Sequence, residues 1–221
     1  MCTGRLDPAI VAKAFKKGLD GLLVVGCYFG DCHYISGNYQ AQAKIEMTRR
    51  LFEHIGVNPQ RLAFKQCSSG EAAVFVEIVN TFDATIRELG PLGGDGDAVR
   101  NPALSEKLAT AEAVLAGEKM RWVIGKKTPF TTSGNMYGEI FTEHEFNRAI
   151  DMIIVEETEV QEILGQLRQK ALSVAELAGS LAIPPARIFR YVTALKRKGF
   201  VALEGISGRS PKYKLISQEV S

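Results

Sequence analysis

Over residues 1–92 the hydrophobic pattern switches between short β-rich runs and amphipathic helical stretches. Asp7 to Lys17 carries an apolar stripe of Ile10, Val11, Ala14 and Phe15, with Asp7 placed to cap, Pro8 at the first helical position and Gly18 to stop it. Gly21 to Val25 is apolar throughout, as in a parallel strand covered on both faces. A Gly-rich loop leads to a helix from about Gln40 to Ile55, with Ala43, Met47, Leu51 and Ile55 at spacing four. The cycle then repeats. Arg61 to Gln66 reads as a strand, and Glu71 to Leu89 as a helix bearing Val74, Phe75, Ile78, Val79, Phe82 and Ile86. This order predicts an α/β domain with a small parallel sheet and covering helices in a Rossmann-like three-layer arrangement.

Gly90 to Asp97 is rich in Gly and Asp and marks a boundary. Beyond it, Pro102 to Ala116 predicts a helix with Leu104, Leu108, Ala111 and Leu115 on one face. Trp122, Val123 and Ile124 read as core, and Thr131 to Asn135 as a turn. Thr142 and Glu145 form a capping box ahead of a long helix with a Phe146, Ala149, Ile150, Ile153, Ile154 stripe. From Val160 the pattern predicts a new helix through Ile163, Leu164 and Leu167. Ser173 and Glu176 cap a second over Val174 to Leu181, and Pro184-Pro185 opens a third over Ala186 to Lys198. Two strands, Phe200 to Leu203 and Lys212 to Ile216, flank a polar tip at Gly205 to Ser210. The expected organisation is therefore an α/β domain at 1–92, a linker and helical connecting region at 93–155, and at 156–221 a domain that resembles the winged-helix family.

Composition narrows the class. The 221 residues carry a formal charge of +2 and 46% hydrophobic residues, which excludes a disordered chain and a uniformly basic nucleic-acid coat. No apolar run reaches membrane-spanning length and no secretion signal is evident, so a cytoplasmic protein without a membrane span is expected. Neither a P-loop nor a Gly-x-Gly-x-x-Gly turn follows a strand, so no nucleotide or flavin of its own is expected. Residues 187–214 hold eight basic residues against Glu204 alone, a net +7. Arg187 and Arg190 early in the third helix, with Arg209 at the hairpin tip, are the candidate DNA contacts; a partner-docking surface is the preferred alternative.

Four cysteines are too few for a disulfide scaffold. Cys27 and Cys67 each follow a predicted strand, Cys32 lies in the first loop, and Cys2 precedes the first helix. All four are therefore expected at the carboxyl edge of the sheet, where open α/β sheets hold ligands. Thiolates suit tetrahedral zinc and iron-sulfur clusters alike, and backbone N–H groups in a Gly-rich loop tune a cluster. His33 and Tyr34 read as loop packing, His54 and His144 as exposed helix positions.

Met1-Cys2-Thr3-Gly4-Arg5-Leu6-Asp7-Pro8 and Gly26-Cys27-Tyr28-Phe29-Gly30-Asp31-Cys32-His33-Tyr34-Ile35-Ser36-Gly37-Asn38-Tyr39 closely resemble the methyl-viologen-reducing hydrogenase delta subunit family over about residues 1–91. The resemblance implies an iron-sulfur subunit with a 2Fe-2S cluster. It would link a hydrogenase or comparable dehydrogenase to a heterodisulfide reductase A-like flavoprotein, with no catalytic residues of its own. Cys2, Cys27 and Cys32 map onto family cysteines, and Cys67 is a candidate replacement ligand. The family's earlier strand and Cys-x-x-Cys pair do not precede Cys2, so the sequence reads as N-terminally truncated, and Tyr28 stands where the family usually has histidine. The rival expectations are a redox- or metal-sensing winged-helix transcription regulator and a zinc-stabilised interaction module.

Overall fold

The computed structural model describes residues 2–94 and 101–216 and forms two compact units, Met1–Val155 and Glu156–Ser221. It is mixed α/β with many helices. Residues 95–97 of the Gly/Asp-rich boundary lie outside the described residues.

In the first unit α1 (Pro8–Lys16) begins where Asp7 accepts the Ala9 N–H and Pro8 fills the first turn. β1 (Leu22–Gly26), α2 (Gly37–His54), β2 (Leu62–Gln66) and α3 (Ala72–Leu89) follow. β1 and β2 pair in parallel from Leu22↔Leu62 to Gly26↔Gln66, so among the described residues this sheet has two strands. Both strands therefore end at the same edge. Val11, Ala12 and Phe15 of α1 pack with Leu51 and Phe52 of α2, and the Phe15 and Phe52 rings meet edge-on at 4.9 Å.

α3 is covered far less than its apolar stripe predicts. None of its residues is buried: Val74, Ile78, Phe82 and Ile86 are half-buried, Phe75 and Val79 are exposed, and Val76 is 55% exposed. Its C-terminal half lies close to Gly21, where an added Cβ would come within 2.5 Å of Ile86 Cδ1. The buried Arg61 ties its end to the sheet by donating to the Asp20 and Leu89 carbonyls at 2.9 and 3.0 Å.

α4 (Pro102–Ala116), α5 (Glu118–Thr132) and the start of α6 (Glu143–Gln169) share the core of α1 and α2 through Leu108, Ala111, Leu115, Met120, Val123, Ile124, Phe146, Ile150 and Ile154. Several sequence expectations are corrected here. Val123 and Ile124 are buried, but Trp122 is 55% exposed. A residue between two inward positions of a helix points outward. Thr131 and Thr132 close α5 instead of forming a turn, and Pro129 lies inside that helix. Ala149 faces solvent. The Thr142–Glu145 capping box is present. No new helix starts near Val160, because α6 runs on for 27 residues.

In the second unit β3 (Leu172–Ser173), α7 (Val174–Leu181), α8 (Pro185–Arg197), β4 (Val201–Ser207) and β5 (Ser210–Leu215) follow α6. The antiparallel sheet has order β3-β5-β4, and β3 was not expected. The hairpin tip is also shorter than expected. Gly205, Ile206, Ser207 and Ser210 belong to strands, leaving Gly208 and Arg209 as the turn. Ile163, Leu167, Leu177, Ile188, Tyr191, Val192, Leu195 and Val201 make the core. Among the described residues no helix is long and apolar enough to cross a membrane.

Candidate metal and redox site

Parallel pairing places both strand ends, and the loops that leave them, on one side of the sheet. Cys27 directly follows β1, Cys67 directly follows β2 with its N–H bonded to the Gly26 carbonyl at 2.9 Å, and Cys32 lies in the loop before α2. Cys2 precedes the one-turn helix Thr3–Arg5 and its Sγ accepts the Gly4 N–H at 3.4 Å. All four cysteines line one open cavity of about 710 Å³, together with Asn38, Glu71 and Phe75. The predicted shared edge is therefore present.

The four are not equivalent. Cys2 and Cys32, thirty residues apart, bring their sulfurs to 3.9 Å. Gly37 makes this approach possible, since a Cβ there would stand 2.3 Å from Cys2 Sγ and 3.2 Å from Cys32 Sγ. Gly4 is equally constrained, because its Cβ would lie 2.5 Å from the Gly37 carbonyl oxygen. Cys32 is 7% exposed. The Tyr34 backbone N–H, followed by that of Asn38, the Cys2 side chain and the Gly37 N–H, holds its thiol below the ordinary value against the opposing effect of desolvation. Ile35, within this turn, sits at φ +63 with its side chain 85% exposed. A β-branched residue in that region costs on the order of 1–3 kcal/mol, strain of the kind that collects where a loop must wrap a functional group.

Cys67 differs. Its Sγ donates to the Ser68 and Glu71 carbonyls at 3.3 and 3.5 Å, while the Glu71 carboxylate accepts the Ser68 N–H at 2.9 Å. Hydrogen bonding to Glu71 is also the main reason that the Tyr28 phenol is raised above its usual value. Cys27 is exposed, and among the described residues its sulfur has no partner. His33 and Tyr34 are exposed at the cavity rim, where their rings pack edge-on against each other at 5.1 Å. His54 and His144 are exposed on helices.

Asn38 was missed as a site residue. It is buried, and its Nδ2 donates to the Cys27 and Tyr28 carbonyls at 3.2 and 2.6 Å, stapling the first loop to the start of α2. The polar group inside Gly37-Asn38-Tyr39 was the available signal, since a buried amide must find partners.

Two thiolates bound at 2.3 Å to one tetrahedral metal lie about 3.8 Å apart. The 3.9 Å between Cys2 and Cys32 fits that edge. Among the described residues no three Cys, His, Asp or Glu side chains converge as a metal-holding group; what the geometry brings together is one pair of sulfurs.

In the second unit α8 buries Ile188, Tyr191, Val192 and Leu195 and presents Phe189, Arg190, Thr193, Lys196 and Arg197 outward. Arg187 is bound to Glu159 at 2.6 Å, Lys212 to Glu176 at 3.2 Å and Lys214 to Glu204 at 3.6 Å. Arg190 lies over the Tyr191 ring at 5.2 Å, and Arg209 is exposed at the turn.

The geometry defines a thiol-lined sheet edge in a small α/β domain. Residues 1–90 match the family described as methyl-viologen-reducing hydrogenase, delta subunit, and through that segment the chain belongs to this family. It is 41% identical over 90 residues to the iron-sulfur D subunit of the F420-non-reducing hydrogenase of Archaeoglobus profundus, covering 41% of this chain and 66% of that protein. Identity to the vhu iron-sulfur D subunit of the F420-non-reducing hydrogenase of Methanopyrus kandleri is 34% over 91 residues, covering 41% and 69%. The A subunit of the ferredoxin/F(420)H(2)-dependent CoB-CoM heterodisulfide reductase of Methanosarcina acetivorans is 37% identical over 95 residues, covering 43% of this chain and 12% of that protein. The matched segment thus spans less than two thirds of the first of these relatives and a small part of the reductase protein.

Proposed function

We propose that the chain is a non-catalytic electron-transfer subunit with a thiolate-bound 2Fe-2S cluster. It would relay electrons between a hydrogenase or other dehydrogenase and a heterodisulfide reductase A-like flavoprotein. The observation that carries this reading is the Cys2–Cys32 sulfur separation at the carboxyl edge of the sheet. The relatives are named as the iron-sulfur D subunit of a hydrogenase and the A subunit of a heterodisulfide reductase, which supports the cofactor and the partners. Cys2 and Cys32 would share one iron, with Cys27 and Cys67 as the remaining thiols of the cavity. When bound, the cluster takes up and releases single electrons. The chain's own part is to hold the sulfurs, to exclude water from Cys32 and to direct backbone N–H groups at its thiolate, which tunes such centres. Anaerobic reconstitution of the full chain with iron and sulfide should give bound iron, acid-labile sulfide and visible absorption. Stoichiometric zinc without sulfide would overturn the reading in favour of a zinc-stabilised module.

For the second unit the proposal is a winged helix used to dock a protein partner. The order from α6 to the β4–β5 hairpin supports that fold. A DNA-binding regulator is the second reading, favoured by Arg190, Lys196 and Arg197 exposed on the outer face of α8 and by Arg209 exposed at the turn. The internal pairing of Arg187 counts against it, because that guanidinium is already committed to Glu159.

A further inference from the structure

We propose that Cys2 and Cys32 form a redox-active dithiol that a low-molecular-weight disulfide closes to an intramolecular disulfide. The inference goes beyond electron transfer and does not require a cluster. It bears on the cluster reading in one way: sulfurs joined to each other cannot serve as metal thiolates, so the state of the pair would decide whether the site accepts metal.

The geometry is already close to that of a bond. The two sulfurs are free thiols 3.9 Å apart, and a disulfide needs about 2.05 Å, a movement of roughly 2 Å. Residues thirty positions apart meet there because Gly37, having no Cβ, leaves room for both sulfurs. The other two thiols are placed differently. Cys67 is engaged by two carbonyls, and Cys27 is exposed, following β1 where Cys67 follows β2.

Exposure assigns the roles. Cys2 is half-buried at the cavity and can meet a small disulfide, whereas Cys32, on the same cavity, is buried. The Cys2 thiolate attacks one sulfur of RSSR, the Cys2–SR bond forms, and RS⁻ leaves and takes a proton. The Cys32 thiolate then attacks Cys2 Sγ, the Cys2–Cys32 bond forms, and the second RS⁻ leaves and is protonated. Two protein thiols are oxidised by two electrons and RSSR is reduced to two RSH, so no other oxidant enters. Excess thiol runs the sequence backwards.

The test uses the full chain, freed of metal by a chelator under reductant, then exposed to glutathione disulfide, acid-quenched, alkylated and mapped by peptide mass spectrometry. The expected product is a single intramolecular link, Cys2–Cys32, reversed by excess glutathione. Cys32→Ser should stop at a glutathione adduct on Cys2, and the Cys27→Ser/Cys67→Ser double variant should still close. Gly37→Ala keeps both thiols and displaces them, and should slow closure by roughly 10²-fold, the effect of about 1 Å of misplacement between reacting groups. A Cys27–Cys67 link, a persistent Cys2 adduct in the parent chain, or unchanged closure in Gly37→Ala would overturn the proposal. Iron and sulfide loading of the reduced chain is measured separately. Loading without disulfide closure overturns this inference and leaves the cluster reading standing; closure without loading does the reverse.

Discussion

Arg187 Nη1 lies 2.6 Å from Glu159 Oε1, and the other oxygen of that carboxylate accepts the Tyr191 hydroxyl at 2.7 Å. One carboxylate thereby anchors the start and middle of α8 to α6. The basic charge that remains for a partner lies further along the outer face, at Arg190, Lys196 and Arg197, and at the Arg209 turn.

That distribution predicts a specific salt response. DNA affinity should be weak and independent of sequence, about 10⁻⁴ to 10⁻⁶ M at physiological salt. Arg190→Ala and Arg209→Ala should each lower the slope of log K against log salt by about 0.9, and Arg187→Ala should leave it unchanged. Anisotropy titrations at several salt concentrations read this directly. Nanomolar binding to one selected sequence would make the regulator reading the better one.

The cysteines should separate by their contribution to metal loading. Cys2→Ser and Cys32→Ser should each abolish most iron and sulfide uptake, because each breaks the 3.9 Å pair. Cys67→Ser should also lower iron uptake, but less, since the Cys67 sulfur already donates to two carbonyls. Full retention of iron in that variant would remove Cys67 from the ligand set.

Acid should loosen the second unit in a defined window. Glu176 is held down to about 2 by the Ser173 backbone N–H and hydroxyl and by Lys212. A carboxylate whose folded value lies below its unfolded value of 4.5 stabilises the fold above that pH. This contribution is lost as pH falls from about 4.5 towards about 2. Glu176→Gln should flatten the pH dependence of the thermal midpoint there, and Ser173→Ala should cost about 1 kcal/mol near neutrality.

Thr158 is buried in α6 with an Oγ1 that has no hydrogen-bond partner among the described residues. Replacing it with the similarly shaped valine removes an unpaired polar atom. Denaturant unfolding of Thr158→Val should show stability unchanged or raised by about 1 kcal/mol.

Much of this was legible wherever a local rule has a sharp chemical cause. Asp7-Pro8 marked the start of α1, and Thr142 with Glu145 and Ser173 with Glu176 marked α6 and α7 through bonds between near neighbours. Alternating strands and helices were enough to place four cysteines at one edge, because parallel strands end together. The α5 helix was not legible. Gly125, Pro129 and three threonines argue locally against a helix, and the burial of Met120, Val123 and Ile124 overrides them. Pairing within the cysteines was equally hidden, since it depends on a missing Cβ at Gly37, thirty-five residues from Cys2. Ala149 failed because an apolar residue beside a stripe was counted as part of it, and Trp122 because a run of three apolar residues was read as core throughout.

The sparse cover of α3 has a kinetic consequence. An eighteen-residue helix with no buried side chain, held at one end by the Arg61 bond to Leu89, can open locally without disturbing the cluster of α1, α2 and α4. In native-state hydrogen exchange its amides should be among the first of the unit to lose protection. Proteases should find their first cut there, so α3 would set the lifetime of the domain during handling well before the global unfolding limit is reached.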